Sequence, residues 1–193
     1  MKTVLFFITL AALAINACSP LPGDVPATQP LATRSDPGAA GVFSLTSPVF
    51  ETGGAIPAKY GCIGQNISPP LSWNRPPAGT QALALILYDP DAPGGSFVHW
   101  VIYNIPALSR ALPEALPGDA QLSDGSLQGK NGAAAMGYVG PCPPSGTHRY
   151  IFTLYALDIS LNQLPEAAGQ AQLLAAMQGH ILDQAELMGT FSR

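Results

Sequence analysis

The sequence predicts a mainly β protein that ends in a helical stretch. Residues 82–88 and 101–105 are uninterrupted apolar runs of strand length, and residues 147–158 form the clearest strand pattern of the chain. The segments between these runs are rich in glycine and proline, which number 20 each among 193 residues. These residues favour turns and rigid extended loops. The pattern therefore indicates buried strands joined by stiff connections.

The other segments predicted before the strand at residues 147–158 have weaker patterns. Residues 43–50 alternate apolar and polar side chains and predict a first strand or two. Residues 67–73 are expected to be extended, because Pro70 disfavours helix around it. Trp73 at the end of this segment is interpreted as a core residue, with stacking on a ligand as the alternative. Residues 106–129 contain many helix breakers and no period, which predicts a long surface connection.

The C-terminal part has a different pattern. Residues 166–187 are predicted to be one helix or two short ones, broken by glycine if two. The apolar residues that recur there at intervals of three or four are Leu173, Leu174, Met177, Ile181, Ala185 and Met188. His180 lies beside this stripe and is interpreted as a packing histidine.

The N-terminus has the features of an exported protein. Residues 1–17 combine Lys2 with an apolar run that is too short to span a bilayer, as in a secretory signal peptide. The run ends at Asn16-Ala17-Cys18, which resembles a bacterial lipobox and predicts cleavage before a lipidated Cys18; an ordinary signal with an incidental cysteine is the alternative. Residues 18–41 are rich in Pro, Ala, Gly and Ser and predict a flexible tether. The folded domain is then expected to comprise residues 42–193.

Charge argues against one class of partner. The full chain has a net charge of −4, and loss of Lys2 leaves 7 of the 8 basic side chains against 12 acidic ones, a net charge of −5. The sequence contains no basic run and no basic stripe interleaved with aromatic residues. Nucleic acid is therefore not an expected partner.

The cysteines predict a disulfide. If Cys18 is lipidated, Cys62 and Cys142 remain as an even pair in an oxidising compartment, and both lie in loops rich in glycine or proline. We therefore expect these two residues to be bonded. Metal ligation is the weaker alternative, since the sequence has no Cys-x-x-Cys spacing.

Polar residues that are able to form a site follow the buried strands. The loop 89–96, which begins Asp-Pro-Asp-Ala-Pro, connects two apolar runs, and His99 lies early on the second. Its prolines restrict the backbone, so the loop can hold a carboxylate in one place. On the later strand His148 and Tyr150 are two residues apart and point to one face, whereas Arg149 points to the other. A structural hairpin is the alternative interpretation of the loop.

The motifs closely resemble those of a known family. They are the loop 89–93 followed by His99-Trp100, the segment 140–150 (Gly-Pro-Cys-Pro-Pro-Ser-Gly-Thr-His-Arg-Tyr), residues 66–73 and the ending 177–182. In this order they are similar to the phosphatidylethanolamine-binding protein family, and particularly to its bacterial and archaeal branch, which is called Raf-kinase-inhibitor-like. The resemblance implies a β-sandwich-like core of two antiparallel sheets with a Greek-key path and flanking helices.

The resemblance also implies a small pocket for phosphate, acetate or phosphoryl head groups. Its polar core would be formed by Asp89, His99, His148 and Tyr150, and its loop walls by Pro93, Gly140 and Pro143. Asp91 matches the second aspartate of the motif and is ranked lower as a direct contact. Cys142 stands where eukaryotic members tend to have a glycine. Kinase control and membrane-lipid binding belong to that eukaryotic branch, so the resemblance does not imply them for this chain. No cofactor is implied, and bacterial relatives suggest a homodimer.

The chemistry of these residues leaves several functions to compare. The leading hypothesis is a non-enzymatic, lipid-anchored envelope protein that binds a small anion, with Asp89 orienting a histidine and keeping it charged. A second hypothesis is that the same pocket rim contacts a partner enzyme, a protease or a kinase, which the protein regulates. A weak hydrolase using Ser96 is a third hypothesis, although Ser96 lacks the strand-turn-helix setting of such nucleophiles. Two histidines and a carboxylate are also a conceivable metal site.

Overall fold

The structure, a computed structural model, describes residues 41–193. The predicted signal peptide, Cys18 and all but the last residue of the predicted tether lie outside the described residues. No helix in the described part of the chain is long and apolar enough to cross a membrane.

Eight strands and one α-helix make up the described chain, with a single turn of 3-10 helix at Ala58–Tyr60. In chain order the elements are β1 (Leu45–Thr46), β2 (Leu71–Trp73), β3 (Ala82–Asp89), β4 (Phe97–Pro106), β5 (Ala111–Leu112), β6 (Leu127–Gln128), β7 (Thr147–Leu157), α1 (Gln170–Met177) and β8 (Ile181–Ser192).

The strands form two antiparallel sheets. The smaller sheet has the order β1-β2-β5, and the larger has the order β6-β4-β3-β7-β8. Every pairing between these strands is antiparallel. After β4 the chain passes through the smaller sheet at β5 and returns so that β7 lies on the far side of β3. The predicted fold class, a mainly β protein with two antiparallel sheets, is confirmed.

Strand β3 is the centre of the larger sheet and is buried on both faces. Leu83, Leu85 and Leu87 pack into the core between the sheets, whereas Ala84 and Ile86 pack into a second cluster on the other face. Helix α1 contributes Leu173 and Met177 to that second cluster. Because both faces are covered, the strand reads as a continuous apolar run rather than an alternating one.

The predicted C-terminal helix is shorter than expected. Helix α1 ends at Met177, Gly179 adopts a positive φ of 82°, and the chain continues as β8, which pairs with β7 along its length. The prediction of helix over residues 181–187 is therefore wrong. The inward side of β8 alternates as Ala185, Leu187, Gly189 and Phe191, and the glycine interrupts the period of two that would reveal a strand. A side chain at Gly189 would collide with Ile56 and Phe50.

The structure also places three features interpreted from the sequence, which are His180, Trp73 and the segment 106–129. His180 does not pack in the core: its Nδ1 lies 2.9 Å from Asp158 Oδ1, and its side chain is 42% exposed. Trp73 is buried in the core, and its indole N–H donates to the Ser109 carbonyl. The segment 106–129 is a long connection, as predicted, but it contains the short strands β5 and β6, whose two residues each are too few to give a sequence period.

A disulfide joins Cys62 to Cys142, which are 80 positions apart in the sequence. Closing so long a loop restricts the unfolded chain. A backbone hydrogen bond joins the same two loops, since the Cys62 N–H donates to the Pro141 carbonyl at 3.0 Å. The loop that precedes β7 is thereby attached to the loop that follows the 3-10 turn.

We predict that replacing Cys62 and Cys142 by alanine lowers the free energy of unfolding by about 4.5 kcal/mol, the value expected from loop entropy for a cross-link of this span. Chemical denaturation of the variant and the parent protein measures the difference. Mass spectrometry after alkylation under denaturing conditions provides the control: reduction should make two further thiols available. A protein in which reduction exposes no additional thiol would contradict the assignment.

Candidate functional site

The four polar residues predicted for the pocket lie at one end of three adjacent strands. Asp89 is the last residue of β3, His99 is on β4, and His148 and Tyr150 are on β7. Since β3 lies between β4 and β7, these side chains converge although they are up to 61 positions apart in the sequence. All four are buried, with exposures of 8% or less.

A β-bulge aims His99 toward this end of the core. Leu87 pairs with Trp100 and Tyr88 pairs with Val98, so His99 is an extra residue on β4. The bulge shifts the alternation of side chains: Val98 and Val101 face the second cluster, whereas Trp100 faces the core between the sheets. His99 consequently packs edge-to-face against Tyr150, with ring centroids 5.2 Å apart.

Asp89 forms a buried pair with His148. Its Oδ2 lies 2.7 Å from His148 Nδ1, which must carry the proton because the carboxylate accepts. The other carboxylate oxygen accepts the backbone N–H of Asp91 at 2.8 Å. The histidine that Asp89 orients is therefore His148 and not His99.

The second aspartate of the loop is held on the opposite face of β7. Asp91 Oδ2 accepts from the backbone N–H and Nε of Arg149, both at 2.9 Å, and Oδ1 accepts from Nη2 at 2.7 Å. These bonds to Arg149 hold the pKa of Asp91 well below its usual range. Asp91 thus fixes the loop to β7 and does not line the cavity.

His99 is held by the loop that precedes β7. Its Nδ1 lies 2.8 Å from the Val139 carbonyl oxygen, which only accepts, so Nδ1 carries the proton. The His99 carbonyl in turn accepts the Val139 N–H at 2.9 Å. Burial lowers the pKa of His99 from its ordinary value of 6.5, and the Val139 carbonyl, Asp89 and Gly140 oppose this only in part. Burial thus favours the neutral ring, in which Nε2 is a buried acceptor without a partner among the described residues.

Tyr150 provides a second buried atom without a partner. Its hydroxyl is near the Asp89 carboxylate and the Cys142 backbone amide, but no group in the described residues meets it with hydrogen-bond geometry. Burial, reinforced by the charge of Asp89, raises the pKa of Tyr150 above its ordinary value of 10.0. The hydroxyl therefore keeps its proton and is available as a donor.

These groups surround a cavity of about 210 Å³. Asp89, His99, His148 and Tyr150 provide its polar surface, and the rest of the lining comes from the two loops and the start of β4. The lining residues from the start of β4 and from the two loops are Phe97, Ala92, Pro93, Val139, Gly140, Cys142, Pro143 and Pro144. The three residues predicted as loop walls, Pro93, Gly140 and Pro143, are all among them. The cavity is thus polar on one side and largely apolar elsewhere.

Asn66 positions the wall of this cavity, a role that the sequence analysis missed. Its Oδ1 accepts the Gly140 N–H at 2.7 Å, and its backbone adopts a positive φ of 55°. A Cβ at Gly140 would lie 2.3 Å from the Tyr60 carbonyl oxygen and 2.7 Å from Asn66 Oδ1, so only glycine fits there. The Asn that opens the segment 66–73 was visible as a motif, but its contact 74 positions away was not.

Two alternative uses of these residues lack support in the described structure. Ser96 is exposed, does not line the cavity and makes no hydrogen bond to a histidine among residues 41–193. Within the same residues, no group of three or more His, Cys, Asp and Glu side chains is arranged to hold a metal ion. The geometry thus offers no nucleophile-base pair at Ser96 and no metal-binding cluster in this part of the chain.

Comparison with known proteins agrees with the motifs. A family model described as phosphatidylethanolamine-binding protein matches residues 46–192. A protein of Methanothermobacter thermautotrophicus, named UPF0098 protein, is 50% identical over 151 residues, which cover 78% of this chain and 99% of that protein. The Mycobacterium tuberculosis protein LppC, named as a candidate lipoprotein, is 39% identical over 189 residues, which cover 93% of this chain and 90% of LppC.

Solved structures show the same fold. The Chlamydia trachomatis protein CT736, described as a homologue of phosphatidylethanolamine-binding proteins, matches with a TM-score of 0.73 and 43% identity over 79% of this chain and 98% of its own. Escherichia coli YbcL, described as a member of the mammalian family, matches with the same TM-score and 31% identity over 79% of this chain and 99% of its own. This chain therefore belongs to the phosphatidylethanolamine-binding protein family.

Proposed function

We propose that this protein binds a small oxyanion or a phosphoryl group in the cavity at the end of β3, β4 and β7, without catalysing a reaction. The observation that carries the proposal is the pair of buried polar atoms, His99 Nε2 and Tyr150 Oη, that have no partner among the described residues. Buried polar groups in proteins are almost always satisfied, so such atoms at the base of a cavity indicate that a small polar molecule completes the site.

The donors suit an anion. Tyr150 keeps its proton and is free to donate, and His148 donates Nδ1–H to Asp89, which leaves Nε2 for the ligand. A second proton on His148 would lie between two negative groups, the carboxylate and the bound anion. Charge-assisted hydrogen bonds of this kind are stronger than neutral ones. We assign to Asp89 the role of orienting His148 and compensating its charge.

The protein is proposed to work at the cell envelope. Residues 1–17 and Cys18 have the pattern of a lipoprotein signal, and LppC, which aligns with 93% of this chain, is named as a candidate lipoprotein. Lipid on Cys18 would anchor the domain to the membrane through the tether, while the cavity faces the periplasm or the exterior. Regulation of a partner enzyme through the rim is an alternative for which the described residues show no specific feature.

Phosphate affinity is predicted to rise as the pH falls from about 8 to about 6. Burial holds the pKa of His99 below its ordinary 6.5 and so disfavours a second proton on that ring. The Asp89 carboxylate compensates a positive charge on His148, whose Nε2 would then donate to phosphate. Calorimetric titration in buffers with different heats of ionisation measures the affinity and the protons taken up. Affinity that is flat, or that rises with pH, would contradict this assignment.

Replacement of Asp89 by asparagine is predicted to weaken phosphate binding by about tenfold or more, near 1.4 kcal/mol or above. The amide no longer compensates a cationic His148, although the change removes a negative charge that would repel the ligand. Loss of charge compensation weakens phosphate binding, and loss of repulsion strengthens it. The direction of the measured change in affinity therefore shows which effect is larger.

Asp158→Asn is the matched control for this variant. Asp158 also pairs with a histidine, His180, but the pair is exposed and does not line the cavity. The control should bind phosphate like the parent protein. Tighter binding by the Asp89→Asn variant would show that Asp89 acts only through repulsion and would remove its proposed role.

A further inference from the structure

Four strands of the larger sheet begin or end together at the end of the domain opposite the cavity. The cavity lies at the last residue of β3, whereas the first residue of that strand, Ala82, pairs with Pro106 of β4 and with Leu157 of β7. Leu157 pairs in turn with Ile181, the first residue of β8. The eight residues of β3 separate these strand ends from the cavity by about 23 Å.

The first described residues of the chain lie at this same end. Asn74 directly follows β2, and its Nδ2 donates to the Val42 carbonyl at 2.7 Å. The preceding residue, Trp73, donates its backbone N–H to the Arg110 carbonyl at 3.0 Å. Arg110 belongs to the turn 106–110, which starts at the last residue of β4. The polypeptide that comes from the predicted lipidation site therefore enters the domain at the end opposite the cavity.

Exposed apolar side chains are concentrated at this end. The described chain exposes six large hydrophobic residues, and four of them lie here, which are Val42, Leu108, Ile181 and Leu182. Val42 and Leu108 are the most exposed of the six, at 89% and 87%. The turn 75–80 lies beside Leu182, since a Cβ at Gly79 would be 3.7 Å from Leu182 Cδ1. We call the surface formed by these four residues and the turn 75–80 the tether end. A concentration of exposed apolar side chains is typical of a contact surface.

Two arginines without carboxylate partners lie beside these apolar residues. Arg75 is exposed in the turn, and Arg110 Nη1 donates only to two carbonyls of its own turn, at 2.9 and 2.6 Å. Neither arginine pairs with an acidic side chain among the described residues. The carboxylates near the start of β8 are Asp158, which pairs with His180, and Asp183. The part of the tether end around the arginines thus suits anionic groups such as lipid phosphates.

We propose that the tether end contacts the membrane in which Cys18 is anchored, with Val42 and Leu108 in the interfacial layer and the two arginines at anionic head groups. This inference rests on the proposed lipidation of Cys18 and not on ligand binding in the cavity. Val42 follows Cys18 by 24 positions, and a tether of that length keeps the domain at a typical distance of roughly 25–30 Å from its anchor. Such a linkage raises the effective concentration of the surface at the bilayer, so weak contacts are sufficient.

This orientation determines where the ligand of the cavity comes from. The interfacial layer of one leaflet is about 5–8 Å thick, whereas the cavity lies about 23 Å from the strand ends at the membrane. Head groups of the same bilayer therefore do not reach the cavity while the domain is in contact with the membrane. The cavity takes its ligand from the aqueous phase.

Quenching of a fluorescent label by the bilayer tests the orientation on the full lipidated chain. Leu108→Cys places the label at the tether end, and Ser96→Cys, in the exposed part of the loop at the cavity, is the matched control. The native thiols do not react, because Cys62 and Cys142 are bonded and Cys18 carries lipid in the proposed form. The labelled proteins are reconstituted in vesicles of phosphatidylethanolamine and phosphatidylglycerol, in a ratio of about 3:1, that contain a spin-labelled lipid.

The label at position 108 should be quenched by the spin-labelled lipid, and the label at position 96 should not. Equal quenching at both positions, or none at position 108, would overturn the inference. Self-quenching between labels at position 108 in place of quenching by lipid would assign the surface to a second copy of the chain, and would also overturn it.

Charge reversal tests the arginine contact with the same label. Arg75→Glu should lower the ratio of membrane-bound to free domain at least about fivefold, the effect expected for one basic residue at an anionic surface. Lys130→Glu makes the same change at an exposed lysine that follows β6, away from the tether end, and should leave the ratio unchanged. Equal ratios for the two variants would contradict the contact with head groups.

Mass spectrometry of the purified chain separates failure of the inference from failure of its premise. A lipidated Cys18 without quenching at position 108 would overturn the membrane contact and leave the anchor intact. An unmodified Cys18 would overturn the anchor and the contact together. Calorimetry with inorganic phosphate tests the cavity independently of both results.

Discussion

The buried hydrogen bond between Asp89 and His148 is the contact on which the rest of the site depends. A carboxylate that is only 4% exposed is costly unless it is paired and hydrogen-bonded, and here both of its oxygens are used. One oxygen accepts from His148 and orients its ring. The other accepts the Asp91 N–H and so positions Asp91 to bond with Arg149. Two consecutive residues of β7, which point to opposite faces, therefore each hold one aspartate of the same loop. This arrangement attaches the loop 89–96 to β7 and leaves His148 Nε2 as the free atom of the pair.

The cavity exists because its walls are fixed independently of any ligand. Asn66 holds Gly140, the Cys62–Cys142 disulfide holds the next part of the same loop, and Val139 holds His99. The base combines one satisfied pair with two unsatisfied atoms, an acceptor on His99 and a donor on Tyr150. Buried polar atoms without a partner are rare in folded proteins, and two of the three among the described residues belong to residues that line this cavity. Their presence beside apolar walls distinguishes a receptor for a small polar group from a well-packed end of a sandwich.

Much of this was accessible from the sequence, but some contacts were not. The strands β3, β4 and β7 have strong apolar patterns, and the resemblance to the family assigned Asp89, His99, His148 and Tyr150 to one pocket, which the structure brings together. The sequence did not decide which histidine pairs with Asp89, because the bulge that turns His99 toward Val139 leaves no pattern. The sequence predicts helix over residues that form β8, because Gly189 interrupts the alternation of inward-facing side chains that would indicate a strand. The support of Gly140 by Asn66 is a long-range contact that no local pattern reveals.

A crystal structure of the protein grown with phosphate tests the central claim most directly. The account predicts a phosphate ion at the base of the cavity, with oxygens at hydrogen-bond distance, about 2.7–3.0 Å, from Tyr150 Oη, His148 Nε2 and His99 Nε2. The Asp89–His148 contact should remain intact. A cavity that holds only water at saturating phosphate, or an ion bound away from these three atoms, would contradict the account.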